Sequence, residues 1–126
     1  MSDRIDYVIL YVSNLERAVA FYRDVIGLPF KFADDGYAEF ATTNLKFALF
    51  HESRALELTG REPTGAFGSE VLIIVDDVDG EAERLRAAGA EILSGPTDRP
   101  WWHRTLHLAD PDGHVVELAQ EIPRSG

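Results

Sequence analysis

Cysteine is absent from the 126-residue sequence. This absence excludes disulfide bonds, thiolate zinc sites and cysteine nucleophiles. Long apolar runs are absent too, because the longest, Tyr7 to Val12, is far too short to span a bilayer. The first residues, Met1 to Arg4, lead straight into a strand-like run without the pattern of a signal peptide. We therefore expect a soluble cytoplasmic protein that has no membrane partner.

Basic side chains are few. The sequence has 12 Lys and Arg against 22 Asp and Glu, which gives a formal net charge of -10. Such a surface repels phosphate backbones, so a nucleic-acid partner is not expected. It attracts cationic ligands, although acidity is also a common route to solubility. Hydrophobic residues make up 45% of the chain, enough for one domain with its own core.

The sequence repeats one pattern of strand and helix. The first copy opens with the β-branched and aromatic run Ile5 to Ser13, and Asn14 follows as a helix N-cap. The second copy opens with the strand-like run EVLIIVDD and has Asp77 as its cap. Setting Tyr7 against Glu70 aligns the two copies, including their caps. An internal duplication therefore organises the chain.

Three shorter strand candidates follow each helix. In the first copy they are Pro29 to Phe32, Tyr37 to Ala41 and Leu45 to His51. In the second copy they are Ala90 to Leu93, Thr105 to Ala109 and His114 to Gln120. Each copy is a β-α-β-β-β module too small to bury both faces of its sheet.

We accordingly predict a single α+β domain over residues 1–126. Its two tandem modules would form a concave mixed sheet with the helices on the outer face. Module one covers residues 5–52 and module two covers residues 69–121. A segment rich in Gly and Thr, residues 53–68, would link them.

Strand alternation sorts side chains between the helix-covered face and the open face. On the first strand the open face receives Tyr7, Ile9 and Tyr11, and on the last two strands it receives His107 and Glu117. A carboxylate among aliphatic neighbours on a strand lowers the stability of the fold, which favours a functional role for it. Glu117 is therefore the strongest single site candidate in the sequence.

Two motifs resemble the vicinal oxygen chelate superfamily, which includes glyoxalase I, bleomycin-resistance proteins and extradiol dioxygenases. They are FYRDVIGL at Phe21 to Leu28 and DPDGHVVEL at Asp110 to Leu118. The DPDG segment also has the residues of a type I turn, so we interpret it as a hairpin turn without chemistry of its own. The resemblance covers Ile5 to about Glu121 and implies the fold more firmly than an activity.

The resemblance also implies four metal-ligand positions, at the starts of the first and fifth strands and on the last strand of each module. Here they hold Tyr7, Ala48, Glu70 and Glu117. Alanine cannot bind a metal and neutral tyrosine is a weak ligand. We therefore predict a metal-free protein without a cofactor. The fallback is one divalent metal ion held by Glu70, His107 and Glu117.

Further candidates lie outside these positions. Trp101 and Trp102 are adjacent on a predicted loop, so one would pack while the other stacks on a flat ligand or closes a dimer seam. Nearby Arg104 could hold an anion or pair with an acid. Phe50 and Phe67 would add an aromatic wall. The predicted ligand-binding residues are Tyr7, Phe50, Glu70, Trp101, Trp102, Arg104, His107 and Glu117.

Three functions are compatible with these residues. The first is a metal-free protein that sequesters a small cationic or aromatic molecule in its groove, as the resemblance to bleomycin-resistance proteins implies; a homodimer is implied in the same way. The second is a lyase, isomerase or dioxygenase-type enzyme with Glu117 as base and His107 or Tyr7 as acid, with or without a metal. The third is an accessory module that binds another protein. The sequence favours the first and leaves catalysis open.

Overall fold

The computed structural model describes residues 2–3, 5–63 and 69–124. The chain divides into two compact units, Met1–Thr64 and Gly65–Gly126, so the boundary falls inside the predicted linker. Each unit contains one four-stranded mixed sheet with the same strand order. The predicted pair of β-α-β-β-β modules is thereby confirmed. Within the described ranges, no helix is long and apolar enough to cross a membrane.

Unit one begins with β1 (Tyr7–Val12) and α1 (Leu15–Ala20), which continues as a π-helical segment, Phe21–Ile26. The strands β2 (Phe30–Asp34), β3 (Tyr37–Phe40) and β4 (Lys46–His51) follow. The sheet order is β1-β4-β3-β2, with β1 parallel to β4 and the other pairs antiparallel. A 3-10 turn, Glu52–Arg54, and α2 (Ala55–Thr59) complete the unit, so the first part of the predicted linker is helical.

Unit two contains β5 (Glu70–Ile74), α3 (Val78–Ala87), β6 (Glu91–Arg99), β7 (His103–Ala109) and β8 (Val115–Glu121). Its sheet order is β5-β8-β7-β6, with β5 parallel to β8 and the other pairs antiparallel. The strand β6 runs well past the predicted end at Leu93. It does so because two register shifts let it stay paired with β7 beyond Ser94-Gly95-Pro96.

The predicted caps and turn are present. Asn14 Oδ1 accepts a hydrogen bond of 3.0 Å from the Arg17 amide, and Asp77 Oδ1 accepts one of 3.2 Å from the Gly80 amide. In the DPDG segment, Asp110 Oδ1 accepts from the amides of Asp112 and His114 at 2.9 and 2.8 Å. These bonds end one strand and start the next, which fixes where β7 and β8 face each other.

The core of each unit lies between the helix and one face of the sheet. On β1, Val12 is fully buried while Tyr7 and Ile9 are 41% and 40% exposed, which confirms the predicted alternation. In unit one the buried Tyr22 ring packs edge-on against Phe47, with centroids 4.9 Å apart. In unit two the helix inserts Leu85, which is fully buried. This packing leaves the opposite face of each sheet uncovered by the helix of its own unit.

Candidate functional site

The strongest candidate site is a row of side chains across the sheet of unit two. The ladder pairs Glu117 on β8 with His107 on β7, and His107 in turn with Ser94 on β6. Residues paired across a sheet point to the same face, so these three side chains lie side by side. Glu70 joins the row from the start of β5, the strand beside β8.

The imidazole of His107 is the centre of the cluster. Its Nε2 lies 3.2 Å from Glu117 Oε1 and 3.4 Å from Glu70 Oε2. Its Nδ1 lies 3.4 Å from Ser94 Oγ on the other side of the ring. The side chain of His107 is 21% exposed, that of Glu117 only 8%, and that of Glu70 47%. The cluster therefore has a buried end at Glu117 and an open end at Glu70.

Glu117 has the perturbed titration expected of this environment. Burial raises the pKa of the Glu117 carboxyl, and the hydrogen bond and charge of Glu70 raise it further, while His107 acts in the opposite direction. Two carboxyl groups in contact favour sharing one proton over carrying two charges. The pair can therefore accept a proton or attract a cation that relieves the repulsion.

The same three side chains have the donor types of a cation site. One ligand atom each from Glu70, His107 and Glu117 lies within 4.8 Å of the others. Carboxylate oxygens and an imidazole nitrogen suit several divalent ions. The donor set therefore fits a metal ion chemically, and all three donors come from unit two.

Comparison with known proteins gives the family. A model described as the Glyoxalase/Bleomycin resistance protein/Dioxygenase superfamily matches residues 4–118. The chain belongs to this superfamily. The family resemblance inferred from FYRDVIGL and DPDGHVVEL is confirmed.

Named superfamily relatives differ in what they do. The chain is 30% identical over 131 residues to the lactoylglutathione lyase of Neisseria meningitidis, covering 94% of this chain and 91% of that protein. It is 31% identical over 117 residues to the uncharacterized protein YraH of Bacillus subtilis, covering 86% and 91%. It also resembles the crystal structure of TnmS3, an antibiotic binding protein from Streptomyces sp. CB03234, with a TM-score of 0.76, 25% identity and coverage of 95% and 97%. The proteins to which the chain is similar thus include a named enzyme and a named binding protein.

The equivalent row of unit one carries different chemistry in this superfamily member. Ala48 on β4 pairs with Glu39 on β3, just as Glu117 pairs with His107. The Glu39 side chain is 7% exposed. It accepts hydrogen bonds from Tyr37 Oη at 2.6 Å and from Lys31 Nζ at 3.2 Å. A tyrosine–carboxylate–lysine cluster therefore occupies the row that holds the imidazole in unit two.

Sequence reasoning missed Glu39, Lys31 and Ser94. For Glu39 a signal existed in the repeat. Once the strands are paired, aligning Ala48 with Glu117 also makes Glu39 equivalent to His107. The contacts of Glu39 lower its pKa, chiefly through the Tyr37 hydrogen bond and then through Lys31, and burial opposes them. Burial and the bond to Glu39 raise the pKa of Tyr37. The cluster is internally satisfied and stabilises unit one.

The Glu39 cluster predicts a measurable pH dependence. Because the folded pKa of Glu39 lies below the unfolded value, its stabilisation is present above about pH 4.3 and is lost as the pH falls through the folded pKa. Glu39→Gln should lower stability by about 1 kcal/mol at neutral pH and make the acid loss shallower. Melting temperatures of both proteins between neutral and acidic pH test this, with the exposed Glu91→Gln as control. Parallel curves for wild type and Glu39→Gln would contradict it.

Two of the other predicted residues have described contacts within unit one. Tyr7 and Phe50 belong to unit one, where the Lys46 ammonium lies 4.8 Å from the centre of the Tyr7 ring. The Phe50 ring packs against Tyr37, with centroids 4.8 Å apart. Phe67 lies outside the described residues. Both rings therefore have packing partners within unit one.

The tryptophans and Arg104 lie at the β6–β7 hairpin, away from the His107 row. Trp101 is 59% exposed, and Trp102 is 37% exposed beneath the Arg124 guanidinium at 5.9 Å. Arg104 donates to Asp79 on α3 at 3.0 Å and to Asp98 on β6 at 3.0 Å. The sequence left two roles open for Arg104, holding an anion or pairing with an acid, and its described contacts are with acids. Those bonds tie the helix to the sheet.

Proposed function

We propose that this superfamily member binds a small cationic molecule without requiring a metal ion. Glu117 is the main recognition group. The observation that carries the proposal is a carboxylate only 8% exposed on the open face of a sheet, in contact with His107 and a second carboxylate. A buried carboxylate lacking a basic lysine or arginine partner in its described contacts is poised for an external cation.

The surroundings of Glu117 support an apolar part in the ligand. Leu72, which pairs with Glu117 across β5 and β8, is 45% exposed, and Ile74 on the same face is 53% exposed. Exposed aliphatic side chains beside a carboxylate fit a ligand that joins a positive group to a flat apolar body. The ligand contacts expected from the sequence for Tyr7, Phe50, Trp101 and Trp102 stay predictions.

Titration calorimetry with two aromatic probes of opposite charge tests the proposal. Ethidium is the cation and 1-anilinonaphthalene-8-sulfonate is the anion, and bleomycin is tested beside them. We expect the cations to bind more tightly than the anion. Glu117→Gln should weaken cation binding about thirtyfold or more, because removing one partner of a buried charge pair costs at least about 2 kcal/mol.

The matched control for this experiment is Glu121→Gln, an exposed glutamate on the same strand. It removes the same charge from the protein but not from the cluster, so cation binding should stay within a factor of two of wild type. Equal binding of cation and anion, or unchanged cation binding by Glu117→Gln, would contradict the proposal. Equal losses in both variants would mean that net charge rather than the cluster holds the probe.

A second candidate function is a metal-supported lyase or isomerase, which the lactoylglutathione lyase relatives suggest. The observation in its favour is the convergence of three donor atoms within 4.8 Å. Glu70, His107 and Glu117 would hold the ion, which would act as a Lewis acid toward a substrate carbonyl. Against this candidate, the corresponding positions of unit one hold Tyr7 and Ala48, which supply no strong ligand.

Thermal unfolding with divalent metals separates the two candidates. An ion that binds the folded state raises the melting temperature by mass action. The first function predicts no selective rise with Mn²⁺, Ni²⁺ or Zn²⁺ and no fall with EDTA. A selective rise that disappears in Glu117→Gln would favour the metal-supported enzyme. The homodimer and the cytoplasmic location stay predictions from the resemblance and the sequence.

A further inference from the structure

We propose that Ser94 is the positioning residue of the cluster. Its hydroxyl holds Nδ1 of His107, which keeps Nε2 between Glu70 and Glu117. This inference rests on the proposed function, because it assigns a fourth member to the proposed binding cluster. The observations behind it are the 3.4 Å approach of Ser94 Oγ to Nδ1 and the way the strand β6 delivers Ser94 to that place.

Two irregularities in β6 flank Ser94. Ile92 pairs with Leu108, so an uninterrupted antiparallel ladder would place Leu93 opposite His107. The register shifts between Ile92 and Ser94, and Ser94 takes that position instead. Leu93 is left 50% exposed. A bulge that removes a leucine from the row and introduces a hydroxyl re-aims a side chain, which is a recurrent use of bulges beside functional sites.

The repeat supplies an internal comparison. The strand β2 of unit one has a shift at the corresponding point, between Phe30 and Phe32, and Phe32 then pairs with Glu39. The backbone device is therefore present in both units. Only unit two places a hydroxyl there, and only unit two has a histidine in the facing position. The bulge therefore occurs with and without a hydroxyl, whereas the hydroxyl occurs in the unit that has the imidazole.

Hydrogen-bond chemistry explains what Ser94 contributes. Ionised carboxylates only accept, so Nε2 carries the proton when it bonds with the ionised forms of Glu70 and Glu117. The neutral ring then has a bare lone pair on Nδ1, to which the Ser94 hydroxyl can donate, and the charged ring has a proton there, which the same hydroxyl can accept. Turning the ring over would replace Nδ1 by a carbon and break this bond. Ser94 thus holds the ring in one orientation.

Site-resolved modification of histidines by diethyl pyrocarbonate tests the inference on the full unliganded chain. At about pH 8 histidine is mostly neutral, and a free Nδ1 lone pair attacks the reagent. Ser94→Ala should speed carbethoxylation of His107 about fivefold, the ratio that corresponds to one hydrogen bond of ordinary net strength. Ser94→Thr, which retains the hydroxyl, should restore the slow rate. Peptide mass spectrometry reports the rate at each histidine.

Two controls make the outcome decisive. Thr97→Ala removes a hydroxyl from an exposed residue of the same strand and should leave the His107 rate unchanged. His51, whose ring nitrogens contact Ser53 Oγ at 2.7 Å and the Ser13 carbonyl at 3.0 Å, is the internal reference. No rise in Ser94→Ala, or the same rise in Ser94→Thr or Thr97→Ala, would overturn the role of Ser94.

The modification experiment contains no ligand, so its failure is distinguishable from failure of the proposed function. A faster His107 reaction in Ser94→Ala together with no cation binding by wild type would keep the role of Ser94 and remove the binding proposal. Cation binding that depends on Glu117, together with an unchanged His107 rate, would keep the binding proposal and remove the role of Ser94.

Discussion

Glu117→Gln is expected to make the protein more stable at neutral pH while it weakens cation binding. The substitution keeps the shape of the side chain and removes a charge that is buried and faces a second carboxylate. Releasing that charge should raise the free energy of unfolding by about 1–2 kcal/mol, and so raise the melting temperature by about 3–8 °C. A site maintained against stability is the expected signature of function.

The stability gain should depend on pH in a defined direction. The folded pKa of Glu117 lies above its unfolded value, so the wild-type group favours folding when it is protonated. Its unfavourable contribution appears as the pH rises from the unfolded value of about 4.3 through the folded value. Melting temperatures of wild type and Glu117→Gln should therefore nearly coincide at about pH 4 and separate as the pH rises.

Two further variants identify the source of the effect. Glu121→Gln, on the same strand but exposed, should show no gain. In Glu70→Gln the repulsion is already relieved, so adding Glu117→Gln should gain less than it does in wild type; a double-mutant cycle measures this coupling. If Glu117→Gln is less stable than wild type at neutral pH, His107 compensates the charge fully and the cluster is a structural ion pair.

The sequence sufficed for the residues that strand alternation governs. Glu117 and His107 could be assigned to one face because the period of a strand is two and the DPDG turn fixes how β7 and β8 meet. Glu70 followed from the internal repeat. The fallback metal set named from the sequence is the same trio that the structure brings together.

Ser94 could not be predicted because the position opposite His107 depends on a bulge. Without the register shift, Leu93 would pair with His107, and no pattern in the sequence predicts the shift. The extent of β6 was missed for the same reason, since Ser94-Gly95-Pro96 is typical of a strand end. For Glu39 the repeat gave its place in the row but not its burial, which depends on the contacts with Tyr37 and Lys31.

The two units place different side-chain chemistry on the same strand pairing. In the row of unit one, the buried carboxylate of Glu39 contacts a tyrosine and a lysine, and these contacts lower its pKa. The row of unit two surrounds its carboxylate with another carboxylate and a histidine, which leaves the pKa of Glu117 raised. The backbone pairing is equivalent, so the difference lies in side-chain chemistry. Perturbation toward the uncharged form is one reason why we propose the binding site in unit two.

Gly95→Ala is expected to be among the most destabilising single changes in β6. Gly95 has a φ of +96°, in the left-handed region that L side chains rarely adopt. A Cβ at this position would lie well inside contact distance of the Thr105 carbonyl oxygen and 3.1 Å from Leu106 Cα, both backbone atoms of the facing strand. Strain and overlap together should cost about 3–4 kcal/mol.

Gly89→Ala separates the two causes. Gly89 also has a positive φ, +79°, but an added Cβ would meet nothing within 4 Å. It should therefore lose only the conformational part, about 1 kcal/mol. Urea unfolding midpoints of the two variants measure the difference, which is the contribution of the close backbone approach beside Ser94. Equal losses would mean that β6 can move away from β7 at Gly95, and the bulge that delivers Ser94 would then be too compliant to hold His107 in place.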